Sequence, residues 1–382
     1  MHAIFHARNT ALLLVAALVA GPAAAAEVIE ERLVTDHVEL RLERVAQGLE
    51  HPWSALELPD GQWLVSERPG RLVRVAASGQ TTPLEGVPEV STRGQGGLLD
   101  LALHPDYADG SDWLYFTWSQ PGDGGSATTL SRGRIEGDAL VALETLFVQN
   151  RFSAPGRHYG SRLAWRDDGT LLMSIGERGS PRRAQQRDDH AGSVLRLTAE
   201  GDVPADNPFV DDAGVQPEIF TWGNRNPQGL TVAADGTAWS TEHGPRTGDE
   251  LNRLAPGENY GWPVVSRGND YATNLPIGRD SAPGMRDPVY VFEGRFAPSG
   301  LAQVNGDTFP AWQGNLMAGG LASERLVRLA LDGNQVVERE VILDGEIGRI
   351  RDVRLGRDGA LYLLNDRADG GLYRLVPADL PR

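Results

Sequence analysis

A short apolar strand with an arginine inside it recurs along the whole chain, as RLVRV (71–75), SRGRI (131–135), SVLRL (193–197), ELNRL (250–254), RLVRL (325–329) and LYRL (372–375). Successive copies lie roughly 45–75 residues apart, the spacing of a propeller blade with variable loops. Most copies follow a turn and a second strand: PDGQWLVSE (59–67), DDGTLLMSIGE (167–177), ADGTAWSTE (234–242) and RDGALYLLND (357–366). DGSDWLYFTWS (109–119) and WQGNLMAGG (312–320) bring the set to six. Asp-Gly supplies the positive φ of a tight hairpin turn, and the run after it suits a strand packed on both faces.

With 46 glycines and 24 prolines the chain is interrupted too often for long helices, which removes βαβ architectures. The sequence therefore predicts an all-β fold, a six-bladed β-propeller with four-stranded antiparallel blades, because radial closure leaves only short, protected sheet edges. The alternative is an array of β-sandwiches. Closure is expected between a strand near 37–46 and the last blade. Residues 27–382 would then form a single domain, with ligands at the channel mouth, where loops from several blades meet.

Residues 1–26 read as a signal peptide: Arg8 precedes the apolar run ALLLVAALVAG (11–21) and the small-residue stretch AAAA (23–26). About eleven apolar residues fall short of the roughly 20 that span a bilayer, so a periplasmic or secreted protein without a membrane span in the mature chain is expected. Cysteine is absent, which leaves oxygen and imidazole as metal ligands. A net charge of −16 argues against nucleic acid and anionic membranes as partners.

Five loops carry polar residues that the strand pattern does not require. GQGGLLDLALHPDY (94–107) is either a tight inter-blade turn or a means of projecting Gln95 into the channel. HYGSRLAWRDDG (158–169) puts His158 at a loop end just ahead of a strand, where it is an ordinary surface histidine or a base. TWGNRNPQGL (221–230) sets Arg225 between Asn224 and Asn226, a solvated turn or a donor cluster for an oxyanion. STEHGPRTGDELN (240–252) with ENYGWP (258–263) is an acidic surface loop or a set of hard oxygen ligands for calcium. In GRIRDVRLGRDG (348–359), Arg349 and Arg351 share one face of an extended segment and in the channel would clamp a carboxylate.

Taken in order, GQGGLL, HYGSRL, GNRNPQGL, EHGPRTGDELN, NYGWP and GRIRDV resemble the pyrroloquinoline-quinone family of soluble glucose and aldose sugar dehydrogenases, from about HPW (51–53) to the end. The short intervening loops resemble the broad-range aldose sugar dehydrogenases more than the glucose-specific members. The resemblance implies a secreted quinoprotein that oxidises aldoses at the anomeric carbon to lactones. It implies pyrroloquinoline quinone (PQQ) and Ca2+ as cofactors, His158 as general base and Arg225 as stabiliser of charge on the quinone. Gln95, Asn226, Arg349 and Arg351 would join Arg225 in binding the cofactor. The main-chain oxygens of Gly244 and Pro245 would hold one calcium, and Glu250, the main-chain oxygen of Tyr260, and Asp270 a second. Two positions depart from the family: Ala322 stands where glucose dehydrogenases carry a cofactor-contacting lysine, so that one cationic contact is either missing or supplied by Arg325, and Arg157 replaces the acidic residue before the base. The electron acceptor, a periplasmic cytochrome or a quinone, is left open. The competing readings are a calcium-dependent propeller lactonase and a non-enzymatic binding propeller.

Overall fold

The computed structural model describes residues 26–380, so the signal peptide expected over 1–26 lies, save for Ala26, outside the described residues. Six sheets succeed one another along the chain, each antiparallel, and they form a six-bladed propeller. The first strands of the blades, Pro52–Glu57, Leu98–Leu103, Leu163–Trp165, Pro227–Val232, Pro298–Gln303 and Ile350–Leu355, pack side by side round a closed ring and line the channel. The second strands are Trp63–Glu67, Trp113–Gly122, Leu171–Ile175, Ala238–Glu242, Leu316–Gly320 and Leu361–Asn365. Every arginine-bearing repeat falls in a third strand: Arg71–Val75, Gly125–Glu136, Ser193–Leu197, Glu250–Leu254, Arg325–Asp332 and Gly370–Pro377.

The two halves of the repeat explain one another. In the third blade Arg196 reaches across to Asp168 (3.0 Å), and in the last blade Arg374 reaches Asp358 (2.7 Å), each aspartate belonging to the Asp-Gly turn ahead of the second strand. In these two blades the repeated arginine ties the third strand to the turn between the first two, whereas Arg74 pairs with Asp138 of the next blade and Arg328 with Glu338 and Glu340 of its own fourth strand. Apolar residues on both faces of the blades build clusters between neighbours, such as Leu64, Leu72, Leu98 and Phe116 between the first two blades. Each such side chain contributes about 1.5–3 kcal/mol by leaving water.

Closure is made by Glu39–Leu49, whose Leu42 lies opposite Leu375 in the last blade. That blade carries a fifth strand, Glu27–Val34, which the repeat did not announce because it lacks the Asp-Gly turn. Among the described residues no helix is long and apolar enough to cross a membrane.

Midway down the channel the first strands converge on one guanidinium. Arg162 donates to Asp352 Oδ1 (2.7 Å), Asp100 Oδ1 (3.2 Å), the carbonyl of Arg351 (2.9 Å) and the carbonyl of Gln228 (2.7 Å). Arg354 bonds the same two carboxylates, and Asp352 also accepts from Ala55 N (2.9 Å). Strands of five blades thus meet at a buried ion network that floors the cavity above it.

Candidate functional site

Antiparallel strands alternate direction, so the starts of all first strands and all turns between second and third strands share one end of the propeller. A cavity of about 330 Å3 opens there, toward the lower end of the usual range for small-molecule sites. Its lining includes Gln95, His158, Arg225, Gly244, Pro245, Arg349 and Arg351, residues from four blades that the sequence singled out separately.

His158 sits at φ 55°, a left-handed conformation uncommon for a residue with a side chain, and the surroundings enforce it. Its backbone N–H donates to Gln95 Oε1 (2.7 Å). A Cβ on Gly176 would lie 2.2 Å from the His158 carbonyl, so the neighbouring strand must carry glycine there. Gly97, at φ 151°, has the same role under Gln95, its missing Cβ being 1.8 Å from the Arg68 carbonyl. The GQGG segment is therefore both a tight turn and the support that projects Gln95.

The ring of His158 donates from Nδ1 to Glu177 Oε1, which leaves Nε2 as the free basic nitrogen. Burial lowers the imidazole's pKa, Arg225 and Arg157 add to the effect, and Glu177 opposes it. Glu177 is 1% exposed and its backbone N–H also donates to the Arg225 carbonyl (2.9 Å), so one residue ties the base to the arginine loop. The sequence reading took Glu177 for a strand end. Its position at the channel end of a second strand, after SIG, was the available signal.

Arg225 is held by its backbone rather than its charge: its N–H donates to Glu242 Oε2 (2.7 Å), while Asn224 and Asn252 both donate to Glu242 Oε1 (3.1 and 3.0 Å). The guanidinium donates to the His243 carbonyl (3.2 Å) and keeps a buried Nε without partner among the described residues. His243 also lines the cavity, and burial, with Arg225 and His158 adding, pushes its pKa down to about 3. Asn226 is not on the cavity wall. Its Oδ1 accepts from Gly160 N (3.2 Å), joining the arginine and histidine loops, and its Nδ2 is buried without a partner.

Arg351 donates to Gln228 Oε1 (3.0 Å) and Asp366 Oδ2 (2.6 Å) and has an unpartnered buried Nε. Arg349 donates to the Leu321 carbonyl (3.0 Å) and lies 3.6 Å from Asp366. Burial raises the Asp366 carboxyl, but Arg351, His51 and Arg349 outweigh it and keep the group ionised. Ala322 lines the cavity, whereas Arg325 does not replace the missing cation: it pairs with Asp344 (2.8 Å) on the exposed blade surface. Arg68 and Arg295 supply cationic lining instead. Five guanidinium groups thus face two carboxylates, Asp249 and Asp366, and two of the five retain an unused buried donor. That donor surplus fits a ligand with several carboxylates, as PQQ is.

A smaller space beside the cavity is lined by Arg225, Glu242, Glu250, Tyr260 and the Gly244 turn. Burial raises the carboxyls of Glu242, Asp249 and Glu250, with repulsion from Glu242 adding at Glu250. Among the described residues the carbonyl oxygens of Gly244, Pro245 and Tyr260 accept no hydrogen bond. Buried carboxylates beside free carbonyls fit a hard cation. Asp270 is not brought to this group; it is exposed, and its Oδ1 caps its own turn, accepting from Ala272 N (3.0 Å) and Thr273 N (2.9 Å).

The sequence model for glucose/sorbosone dehydrogenases matches residues 49–374. Aldose sugar dehydrogenase YliI of Escherichia coli is 38% identical over 346 residues, covering 88% of this chain and 93% of that protein. The apo-form crystal structure of the soluble aldose sugar dehydrogenase from Escherichia coli superposes with a TM-score of 0.86 at 37% identity, covering 88% of this chain and 99% of that one. The PQQ-bound form of aldose sugar dehydrogenase from Streptomyces coelicolor superposes at 0.73, with 30% identity over 88% of this chain and 99% of that one.

Proposed function

The chain belongs to the glucose/sorbosone dehydrogenase family, and from that premise we propose that it oxidises aldose sugars at the anomeric carbon to lactones. When bound, PQQ supplies a hydride-accepting carbonyl and Ca2+ the Lewis acid that polarises it. The observation that carries the reading is an imidazole hydrogen-bonded to a buried carboxylate in a cavity with surplus arginine donors. His158 Nε2 takes the anomeric hydroxyl proton, and Glu177 holds the ring in the tautomer that exposes that nitrogen. Arg225 faces the charge that develops on the acceptor oxygen. Gln95, Arg349 and Arg351 grip the cofactor's carboxylates, with Asn226 locking the two loops above them. Gly244 and Pro245 offer carbonyls to the catalytic calcium, and Glu250 and the Tyr260 carbonyl to a second ion. A hydrolase would need acids converging on one metal from several blades, whereas Glu242, Asp249 and Glu250 all come from one, Asp366 is paired with Arg351 and Glu177 with His158. The segment 11–21 supports export to the periplasm.

Purified chain reconstituted with PQQ and Ca2+ should reduce a dye on addition of aldoses and bleach the quinone absorbance. Failure of every aldose to change that absorbance would overturn the reading. Because burial lowers the His158 pKa, activity should stay level as pH falls to about 6.5 and decline only below the ordinary imidazole range. Glu177→Gln removes a group that raises that pKa, so the acid limb should move to still lower pH while the plateau rate drops. A limb that stays put would remove Glu177 from the orienting role. In the cofactor-free chain, Ca2+ should raise the thermal midpoint by relieving repulsion among Glu242, Asp249 and Glu250, and Glu250→Gln should shrink the increment. An identical increment in that variant would place the ion elsewhere.

A further inference from the structure

Arg178 is fully buried, one residue beyond the carboxylate that holds the His158 ring, and its guanidinium pairs with no carboxylate among the described residues. A buried cation without a counter-ion costs stability, so the groups around it indicate why it is kept. It donates from Nη1 to the Arg157 carbonyl (2.5 Å), and its Cζ lies 3.4 Å from the centroid of the Tyr159 ring. Those two residues flank His158. From Nη2 it reaches the Ser126 carbonyl and hydroxyl, both at 3.4 Å, and the same hydroxyl shares a hydrogen bond with Tyr159 Oη (2.7 Å). Ser126 lies on the third strand of the second blade, so the charge joins that strand to the loop that carries the histidine. The turn of Gln95 packs on the same group: a Cβ on Gly96 would lie 2.9 Å from Tyr159 Oη. Burial lowers the arginine's pKa, yet a guanidinium stays protonated throughout the working pH range.

Resting on the reading of His158 as the base of the sugar oxidation, we propose that Arg178 is a positioning residue that holds His158 in its left-handed conformation with the ring against Glu177. The φ angle of residue 158 is a torsion about its N–Cα bond that begins at the Arg157 carbonyl carbon. A donor locked onto that carbonyl restrains the torsion at its start, and the Tyr159 ring under the same guanidinium restrains the chain beyond it. Left-handed φ is unfavourable for a residue with a side chain, so a loop freed on both sides relaxes toward negative φ and swings the imidazole away from Glu177 Oε1. Glu177 and Arg178 are thus adjacent residues with separate tasks: one fixes the ring, the other the backbone that carries it. Arg178 is not on the cavity wall, so it acts on the reaction only through the base.

Arg178→Met keeps the reach and the contact with Tyr159 but removes the donors and the charge. In the enzyme loaded with PQQ and Ca2+ it should lower kcat with aldose about 10–100-fold, the scale expected when a reacting group is misplaced by about 1 Å. KM should change less than about threefold and quinone affinity less than about twofold, because the cavity wall is untouched. Arg178→Lys, which keeps a donor for the Arg157 carbonyl, should recover part of the loss, and Tyr159→Leu, which removes the ring and leaves the charge, should reproduce it on a smaller scale. Stability should not follow activity: the denaturant midpoint of Arg178→Met should hold or rise, since an unpaired charge leaves the interior. A readout free of cofactor and turnover is the proton that His158 Nδ1 shares with Glu177, followed by NMR in cofactor-free protein with isotope-labelled histidine and assigned by its loss in His158→Gln. That resonance should vanish in Arg178→Met and persist in Arg178→Lys. Parent kcat in Arg178→Met, or a lower kcat with the resonance intact, overturns the positioning role; should Arg178→Met not fold, the resonance and kcat of Tyr159→Leu decide in its place. If no aldose reduces the quinone of the parent enzyme, the sugar-oxidising function fails, and the resonance still tests whether Arg178 holds the ring.

Discussion

Replacing His158 with glutamine should slow reduction of the bound quinone by about 10²–10⁴ under single turnover with saturating aldose, the usual loss when a general base is removed. Glutamine keeps a polar side chain of similar reach, and the backbone bond from residue 158 to Gln95 Oε1 does not depend on the imidazole. Binding of PQQ and Ca2+ should therefore survive, since the arginines and carbonyls assigned to them lie elsewhere on the wall. Reoxidation by an artificial acceptor should change much less, because no sugar proton is in transit. A variant that binds both cofactors normally and reduces the quinone at the parent rate would show that His158 is not the base. The positive φ at this position adds a second expectation: it is held there by Gln95, Glu177 and the space at Gly176, so truncating Gln95 or Glu177, or Gly176→Ala, should cost rate without touching the base itself.

Arg162→Met should destabilise the protein by about 3–5 kcal/mol, the range found when one partner of a buried ion pair is removed. Methionine keeps much of the apolar volume, so the loss measures charge and hydrogen bonding rather than a cavity. Arg162 is 2% exposed and bonds groups on the first strands of the second, fourth and sixth blades while belonging to the third. Without it Asp100 and Asp352 stay buried with Arg354 as their remaining cation, and the carbonyls of Gln228 and Arg351 lose their donor. Denaturant midpoints measure the loss, and Arg162→Met combined with Asp352→Asn should recover part of it by removing the stranded charge. A loss below about 1 kcal/mol, ordinary for any substitution, would mean that Arg354 alone satisfies the network. Quinone affinity should fall as well, since Gln228 and Arg351 line the cavity directly above.

Neither network could be assembled from local pattern. Arg162 appeared in the sequence only as a residue of HYGSRL, and Asp100 only as an acid within an apolar run, GLLDLAL. A buried charge inside an apolar first strand is the trace such a network leaves, but its partner is named by which strands share the channel. Glu177 is the same case at the cavity. The residue before the base, Arg157, is not acidic, and the carboxylate that holds the ring arrives from a different strand of the same blade. Arg325 shows the opposite error: three residues beyond Ala322 it looked close enough to replace a cation, yet the third strand leads away from the cavity and its guanidinium meets Asp344.

The sequence by itself determined the blade count, the order of turn, strand and arginine-bearing strand in most blades, and the polar loops that the fold gathers at one end. Those features are written in local chemistry: Asp-Gly turns set the hairpins, strand alternation sets burial, and one arginine per repeat marks the third strand. The tertiary structure alone decided which carboxylate holds the His158 ring, which arginines supply the cavity's cations and that Asp270 stays with its own turn. The physical reason is that a propeller is closed by contacts between strands far apart in sequence. Blade periodicity fixes the order of those strands, but the pairing of charges across the channel depends on distances that only the closed ring establishes.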